Sequence, residues 1–317
     1  MVTHPPLLTI VGPTGVGKTA VAVRLAASLP LEAVNADSRQ VYRGMDIGTG
    51  KPTAGELALL RHHLIDVVDP DERYHVARFR AEALQAIAEI RHRGHLPVVV
   101  GGTGLYVRSL LKGLLPAPPA DPALREELEA RASARGVPAL HAELAAIDHE
   151  AAGRLHPNDR VRIIRAIEVR LREQQIQRVP GQNAAWQDAT TPWHLVMVGL
   201  CQSREALARR IEDRARGMLV RGMMEEVGRL LDAGYSESLP SMGGIGYRQL
   251  SAVLAGQLSE DEALRLMIRD TVRYAKRQMT WFARDPEIRW IDVDRAGGVE
   301  GAAERILKHV AQEGLIE

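Results

Sequence analysis

The stretch Gly12-Pro13-Thr14-Gly15-Val16-Gly17-Lys18-Thr19 fits G-x-x-x-x-G-K-[ST]. It follows an apolar run, Leu7 to Val11, and precedes a helical pattern from Ala20 to Leu29. Strand, glycine-rich loop and helix in that order make a phosphate cradle. Glycines let backbone N–H groups turn inward, and the new helix adds its positive end. Lys18 supplies a mobile charge for a terminal phosphate, and Thr19 a hydroxyl suited to Mg²⁺. A cradle names a bound group and leaves the reaction open.

Composition narrows the classes. The chain has 317 residues, 45% of them hydrophobic, enough for one large or two ordinary cores. A formal net charge of +1 gives no global pull towards nucleic acid, so any basic surface must come from segregated charge. Aromatics are only 4%, which disfavours a face of stacked rings for single strands. A single cysteine, Cys201, excludes intrachain disulfides and thiolate zinc sites, and a small apolar role on a strand suits it best. No apolar run reaches membrane-spanning length and no secretory leader precedes the first strand, so a soluble cytoplasmic protein is expected.

Strands and helices alternate through the first hundred residues. Leu31 to Asn35 reads as a short strand, Leu64 to Val68 as another, and Leu96 to Val100 as a strand buried on both faces. Between the last two, Val76 to Arg93 is a helix with Phe79, Ala83, Ile87 and Ile90 on one side, stopped by Gly94. This is a doubly wound, parallel α/β pattern. The rhythm changes at Leu115-Pro116-Ala117-Pro118-Pro119. From Asp121 to about Gln177 only helical patterns appear, and Val179-Pro180-Gly181-Gln182-Asn183 ends them. Strand character returns from Trp193 to Leu200, helices follow from Arg204 to Arg284, and Arg289 to Val293 precedes a closing helix, Gly301 to Gln312. The expected division is an α/β core over residues 1–115, an all-helical insertion over 116–190 and completion of the core over 191–317.

Asn35-Ala36-Asp37-Ser38-Arg39-Gln40 leaves the second strand. In a doubly wound sheet, ligands sit at the carboxyl ends of strands, which puts Asp37 beside the P-loop. Two readings fit: a carboxylate base next to bound phosphate, or an Asx turn that only caps the next segment.

With the run Asp37-Ser38-Arg39-Gln40-Val41-Tyr42-Arg43-Gly44-Met45-Asp46-Ile47-Gly48-Thr49-Gly50-Lys51-Pro52, the chain closely resembles the tRNA dimethylallyltransferase family. The likeness continues in His63-Leu64-Ile65-Asp66, Gly101-Gly102-Thr103-Gly104-Leu105-Tyr106, His156-Pro157-Asn158-Asp159, Gly246-Tyr247-Arg248-Gln249 and Lys276-Arg277-Gln278-Met279-Thr280-Trp281. It spans roughly Leu7 to Arg284 in order.

The resemblance implies a P-loop NTPase-like fold and a prenyl transfer without ATP hydrolysis. The diphosphate of dimethylallyl diphosphate would lie on Gly12 to Thr19, with Mg²⁺ through Thr19. The five-carbon group would pass to N6 of the adenosine just 3′ of the anticodon. Asp37 is then the base, Thr14 lies near the reacting end of the donor, and Arg214 faces the diphosphate. Ser38, Arg39, Gln40, Thr103, the block Val161-Arg162-Ile163-Ile164-Arg165, the loop from Met242 through Gly246, Tyr247 and Arg248, and Lys276 to Ala283 resemble regions that clasp the anticodon stem-loop. Two departures touch these regions. Gly243-Gly244 stands where some relatives carry larger residues, including arginine, and Ala283 stands where an arginine occurs, with Arg284 one place later. Eukaryotic relatives add a zinc finger that one cysteine cannot build, so a bacterial-type enzyme is implied.

Charge segregation on two helical patterns is independent of the likeness. Arg162, Arg165 and Arg172 fall within about a quarter of the circumference at 100° per residue, opposite Ile163, Ile164, Ile167 and Leu171. On the later helix Arg265, Arg269, Arg273, Lys276, Arg277 and Arg284 share a face, away from Leu264, Met267, Ile268, Met279 and Phe282. One such stripe is ordinarily a solvated face. Two in a chain of net charge +1 suit RNA phosphate, and a target base would have to leave its stack to reach Asp37.

Three rivals remain on the sequence. One is a nucleotide or small-molecule kinase with Asp66 or Asp69 as a magnesium carboxylate; another is an adenylate prenyltransferase on free nucleotide. The third is an RNA-binding P-loop module without chemistry. No obligate protein partner is implied, and a monomer is expected.

Overall fold

The structure, a computed structural model, describes residues 4–114, 118, 120–175 and 191–316. The chain divides into two compact units, Met1–Gly113 with Thr190–Glu317, and Leu114–Ala189. In the first part of the larger unit the order is β1 (Pro6–Val11), α1 (Lys18–Ala26), β2 (Leu31–Asn35), α2 (Ala54–Leu59), β3 (His62–His63), α3 (Val76–His92), β4 (Leu96–Gly101) and α4 (Gly104–Lys112). The smaller unit holds α5 (Pro122–Arg135), α6 (Val137–Ile147), α7 (His149–Arg154) and α8 (Arg160–Gln175). The larger unit then resumes with β5 (His194–Cys201), α9 (Arg204–Val220), α10 (Met223–Asp232), α11 (Tyr247–Leu254) and α12 (Glu260–Phe282). It closes with β6 (Arg289–Asp292), α13 (Val293–Ala296) and α14 (Gly298–Gln312).

The six strands form one parallel sheet in the order β3-β2-β4-β1-β5-β6. β2 and β4 are buried along their whole length, and β1 from its second residue onward. Successive side chains point to opposite faces. Leu8 and Ile10 of β1 therefore pack with Val21 and Leu25 of α1 and with Ile306 and Val310 of α14. Leu7 and Val11 pack with Phe79 and Ile87 of α3 and with Val107 and Leu110 of α4 on the other face. This is the P-loop α/β fold, with helices on both faces of the sheet.

The third strand lies elsewhere than the apolar run Leu64 to Val68. β3 is His62–His63, and Val68 makes only an isolated bridge to Tyr42. Leu64 and Asp66 take left-handed backbone, φ 64° and 56°, which no ladder tolerates. The segment is tied to the run after Asp37 instead: the Val67 and Val68 N–H groups donate to the Val41 carbonyl at 2.9 and 3.1 Å, and Asn35 Nδ2 donates to the Leu64 carbonyl at 3.0 Å.

The run after Asp37 forms neither helix nor strand. Val41, Tyr42 and Met45 are buried in a third cluster with Met218, Met223, Val227, Met242, Tyr247 and Met267 from α9 to α12. A buried carboxylate, Glu226 of α10, holds it from below. Glu226 accepts from the backbone N–H groups of Asp46 (3.0 Å), Ile47 (2.8 Å) and Gly48 (3.1 Å), and from the Tyr247 hydroxyl (2.6 Å). Four donors on one carboxylate offset the cost of burying it.

In the smaller unit Leu128, Leu140, Leu144, Ile163, Ile164 and Ile167 make a separate core. Gly136 both ends α5 and begins α6. Glu168 is fully buried there and accepts from Arg125, Arg165 and the Asp121 N–H. The tail of the expected helix to Gln177 and the break at Val179 to Asn183 lie outside the described residues, as does most of Leu115 to Pro119.

Candidate active site

Three strand ends of the sheet converge on one place. β1 runs into the P-loop, β2 into Asp37 and β4 into Thr103. Gly17 caps α1 in left-handed backbone, φ 100°, so the loop turns sharply into the helix. Lys18 Nζ donates to the Gly12 and Pro13 carbonyls at 3.0 and 2.9 Å. Burial brings its pKa down to about 8; the Asp37 carboxylate pulls it up and Arg214 pushes it further down.

Thr14 is fixed from a distant part of the chain. Its N–H donates to Gln278 Oε1 at 2.8 Å, and Gln278 Nε2 donates to the Gly102 carbonyl at 2.9 Å. One buried amide on α12 thus ties the P-loop to the end of β4. Asp37 is held by its own turn: Oδ1 accepts the Arg39 N–H at 2.8 Å. Among the described residues no donor reaches Oδ2. The next residue is pinned too, with the Ser38 N–H donating to Thr103 Oγ1 at 3.0 Å. An Asx turn and a carboxylate base at Asp37 are therefore compatible, because the turn uses only Oδ1.

Two cavities meet at these residues. The first, about 750 Å³, is lined by Thr14, Gly15, Gly17, Lys18 and Thr19 of the cradle, and by Asp37, Thr49, Gly50 and Arg214. The second, about 510 Å³, runs past Arg39, Gly243 to Ile245, Arg248, Asp270, Arg273, Tyr274 and Arg277. Thr14, Asp37, Thr49 and Arg214 stand in both walls. One side is thus a glycine loop with cations, the other a mixed groove with arginines at its edge. A phosphate-bearing donor and a second substrate can reach Asp37 from different directions.

Arg214 makes no ion pair among the described residues. Burial lowers its pKa, Asp37 raises it, and Arg221 and Arg210 lower it again. The Tyr274 hydroxyl, in the second cavity, has its pKa raised by burial first and then by the nearby Asp37 charge. Thr19 lines the cradle with its hydroxyl unused by any described partner. No group of three or more His, Cys, Asp or Glu that could hold a metal occurs among the described residues. Magnesium commonly takes one or two protein oxygens plus phosphate oxygens and water. The Thr19 hydroxyl beside a phosphate cradle fits that habit.

The carboxylates of the kinase reading are both paired with cations. Asp66 pairs with Lys51, which also bonds Asp46 and the Tyr42 carbonyl, and Asp69 pairs with Arg43 at 3.0 Å.

The residues singled out for RNA divide. Arg273, Lys276 and Arg277 are exposed on α12. Arg248 is exposed and donates to Asp270 at 2.6 Å. Arg162 and Val161 are exposed at the start of α8. Arg39 spans to the Pro240 carbonyl at 2.7 Å, and Gln40 Nε2 donates to the Gly50 carbonyl at 3.0 Å, so both brace the loops around the cavities. Others need correction. Ile163 and Ile164 are 0% and 4% exposed and belong to the core of the smaller unit, so their side chains are withheld from RNA. Gly246 and Tyr247 are buried, Tyr247 with its hydroxyl on Glu226. Arg165 is committed to Glu168 and the Pro118 carbonyl.

Sequence reading passed over Gln278 and Glu226. Gln278 sits within the block Lys276 to Trp281, where charge drew attention to its neighbours. Glu226 had a signal: Met223, Glu226, Val227 and Leu230 share the buried face of α10, and an acid at an apolar position asks for partners.

The family model described as IPP transferase matches residues 40–285, and that described as isopentenyl transferase matches residues 5–71. A tRNA dimethylallyltransferase of Geobacter sulfurreducens is 49% identical over 286 residues, covering 90% of this chain and 91% of its own length. A crystal structure of the tRNA isopentenylpyrophosphate transferase of Bacillus halodurans is 39% identical, with a TM-score of 0.69 and 97% of both chains covered. A eukaryotic dimethylallyltransferase seen acting on tRNA is 25% identical, with a TM-score of 0.74, covering 96% of this chain and 78% of its own.

Proposed function

The chain belongs to the IPP transferase family, the tRNA dimethylallyltransferases, and we propose that it joins a dimethylallyl group from dimethylallyl diphosphate to N6 of the adenosine immediately 3′ of the anticodon. The observation that carries this reading is the shared wall of the two cavities, where Thr14, Asp37 and Arg214 border both.

The diphosphate rests on the backbone N–H groups of the P-loop. Lys18 spends two donors on the Gly12 and Pro13 carbonyls and keeps a third for a phosphate oxygen. Arg214, which has no ion-pair partner among the described residues, turns to the same group. Magnesium, held by the Thr19 hydroxyl, would neutralise charge on the diphosphate. The flipped adenine enters by the arginine-edged cavity. Its N6 attacks the terminal carbon of the prenyl group, the carbon–oxygen bond breaks, and diphosphate leaves into the cradle. The N6 proton goes to Asp37 Oδ2, the oxygen its own turn does not use. Gln278 keeps Thr14 and the end of β4 in register, so donor and base keep their spacing.

The test is direct. Incubate the protein with unmodified tRNA and dimethylallyl diphosphate, digest, and weigh the nucleosides. N6-isopentenyladenosine is expected, ATP should remain intact, and free adenylate should be a poor acceptor. ATP consumption without a prenyl donor, or no modified nucleoside, overturns the reading.

A further inference from the structure

Helix α9 and its C-cap turn three arginines towards the cradle, and the mechanism above uses one. Arg210, Arg214 and Arg221 all line the phosphate-side cavity. At 100° per residue, positions four and eleven places on from Arg210 lie within about 40° of it, so the three form a stripe. Arg210 reaches the P-loop itself: a Cβ on Gly17 would lie 3.4 Å from its guanidinium. None of the three has a carboxylate partner among the described residues, whereas Arg216 on the same helix pairs with Glu212 at 2.8 Å.

Charge in this cavity is out of balance. Among the described residues its lining carries five cations, Lys18, Lys51, Arg210, Arg214 and Arg221, against four carboxylates: Asp46 and Asp66 share Lys51, Glu56 accepts from the Thr53 N–H and hydroxyl at the start of α2, and Asp37 lies by Lys18 and Arg214. An organic diphosphate carries about three negative charges near neutral pH, one on the inner phosphate and about two on the outer. Lys18 and Arg214, set against Asp37, leave about two of those charges for magnesium and further protein cations to meet.

We propose that Arg210 and Arg221 are further diphosphate ligands, completing with Lys18 and Arg214 a four-cation cradle. The inference rests on the donor reading above and deepens it. Both side chains are exposed, Arg210 by the P-loop and Arg221 just past the last turn of α9, so they approach the diphosphate from opposite ends of the stripe. Charge on the diphosphate grows as its bond to the prenyl carbon breaks. Cations there favour the transition state over the bound donor.

The experiment titrates inorganic diphosphate into the intact protein by calorimetry, with donor KM, kcat and tRNA Kd measured alongside. Variants are Arg210→Ala, Arg221→Ala, both together, Lys18→Ala, and Arg209→Ala as an exposed α9 cation outside the cavity lining. Thermal melts confirm folding, and Arg210→Gln with Arg221→Gln replaces any alanine variant that melts early. Each single change is expected to weaken diphosphate binding about threefold to tenfold, and the double change about tenfold to a hundredfold. Donor KM should rise, with tRNA Kd unchanged. If the double variant binds within twofold of the parent while Lys18→Ala loses binding, this proposal falls and the donor reading stands. An equal loss in Arg209→Ala would also overturn it, since only distant charge would be at work. A parent that does not bind diphosphate overturns the donor reading and this proposal together.

Discussion

The guanidinium of Arg214 fills the place where a side chain would begin at Gly50. A Cβ there would fall among its guanidinium atoms, and Gly50 is also left-handed, φ 62°. The run after Asp37 and helix α9 are therefore fitted to each other through a missing side chain. Gly50→Ala should push Arg214 off the cradle and lower kcat/KM for the donor about tenfold to a hundredfold, the loss of one charge-assisted contact. In an Arg214→Ala background the same change should cost much less. Steady-state kinetics on the four enzymes of the cycle check this, and additive losses would refute the coupling.

Asp37→Asn keeps the size and the Asx turn but cannot take the N6 proton. Single-turnover transfer at saturating tRNA and donor should slow about a hundredfold to ten-thousandfold, with little change in tRNA affinity. A rate within about threefold of the parent would return Asp37 to a turn-forming role alone, since general-base loss costs far more.

Diphosphate binding should depend on pH through Lys18. Burial lowers its pKa to about 8 in the free protein, and a bound anion favours the charged form and raises it. Below that value the lysine is already charged and binding takes up little proton. Above it, each pH unit should cost close to tenfold in the Lys18 contribution until the bound-state pKa is reached, with proton uptake on binding. Calorimetry in buffers of different ionisation enthalpy measures the uptake. A Lys18→Arg protein, charged throughout, should lose this dependence.

Gln278→Ala leaves the Thr14 N–H and the Gly102 carbonyl without their shared partner. A buried group left unsatisfied costs about 1–3 kcal/mol. The expected result is a lower melting temperature together with a higher donor KM, because the P-loop is what loosens. Unchanged donor KM in a destabilised protein would limit Gln278 to a packing role.

Arg273 and Arg277 are expected to meet RNA phosphate. Removing both should raise Kd for tRNA and flatten the log–log salt slope by about one to two units. Arg165→Ala should act differently, lowering stability by uncovering Glu168, with the slope unaltered. Filter binding across salt concentrations separates the two cases.

Periodicity and local chemistry made much of this legible from the chain alone. β4 announced itself as a continuous apolar run, because both faces of a central strand are buried. The P-loop was readable because its glycines, lysine and threonine act within eight consecutive positions. Asp37 was readable as a residue at a strand's carboxyl end, though not the division of labour between its two oxygens. The apolar run at Leu64 to Val68 misled, since left-handed residues at Leu64 and Asp66 break a ladder that hydrophobicity suggested. Ile163 and Ile164 carried the family pattern but fill a core. Pairings across great sequence distance had no local trace: Gln278 with Thr14, Glu226 with Asp46 to Gly48, Arg214 with Gly50. The two-sided cavity around Asp37 depends on those pairings. Local composition sets which elements form, whereas the site arises where elements far apart in the chain are pressed together and each buried polar group must find whichever partner the packing brings.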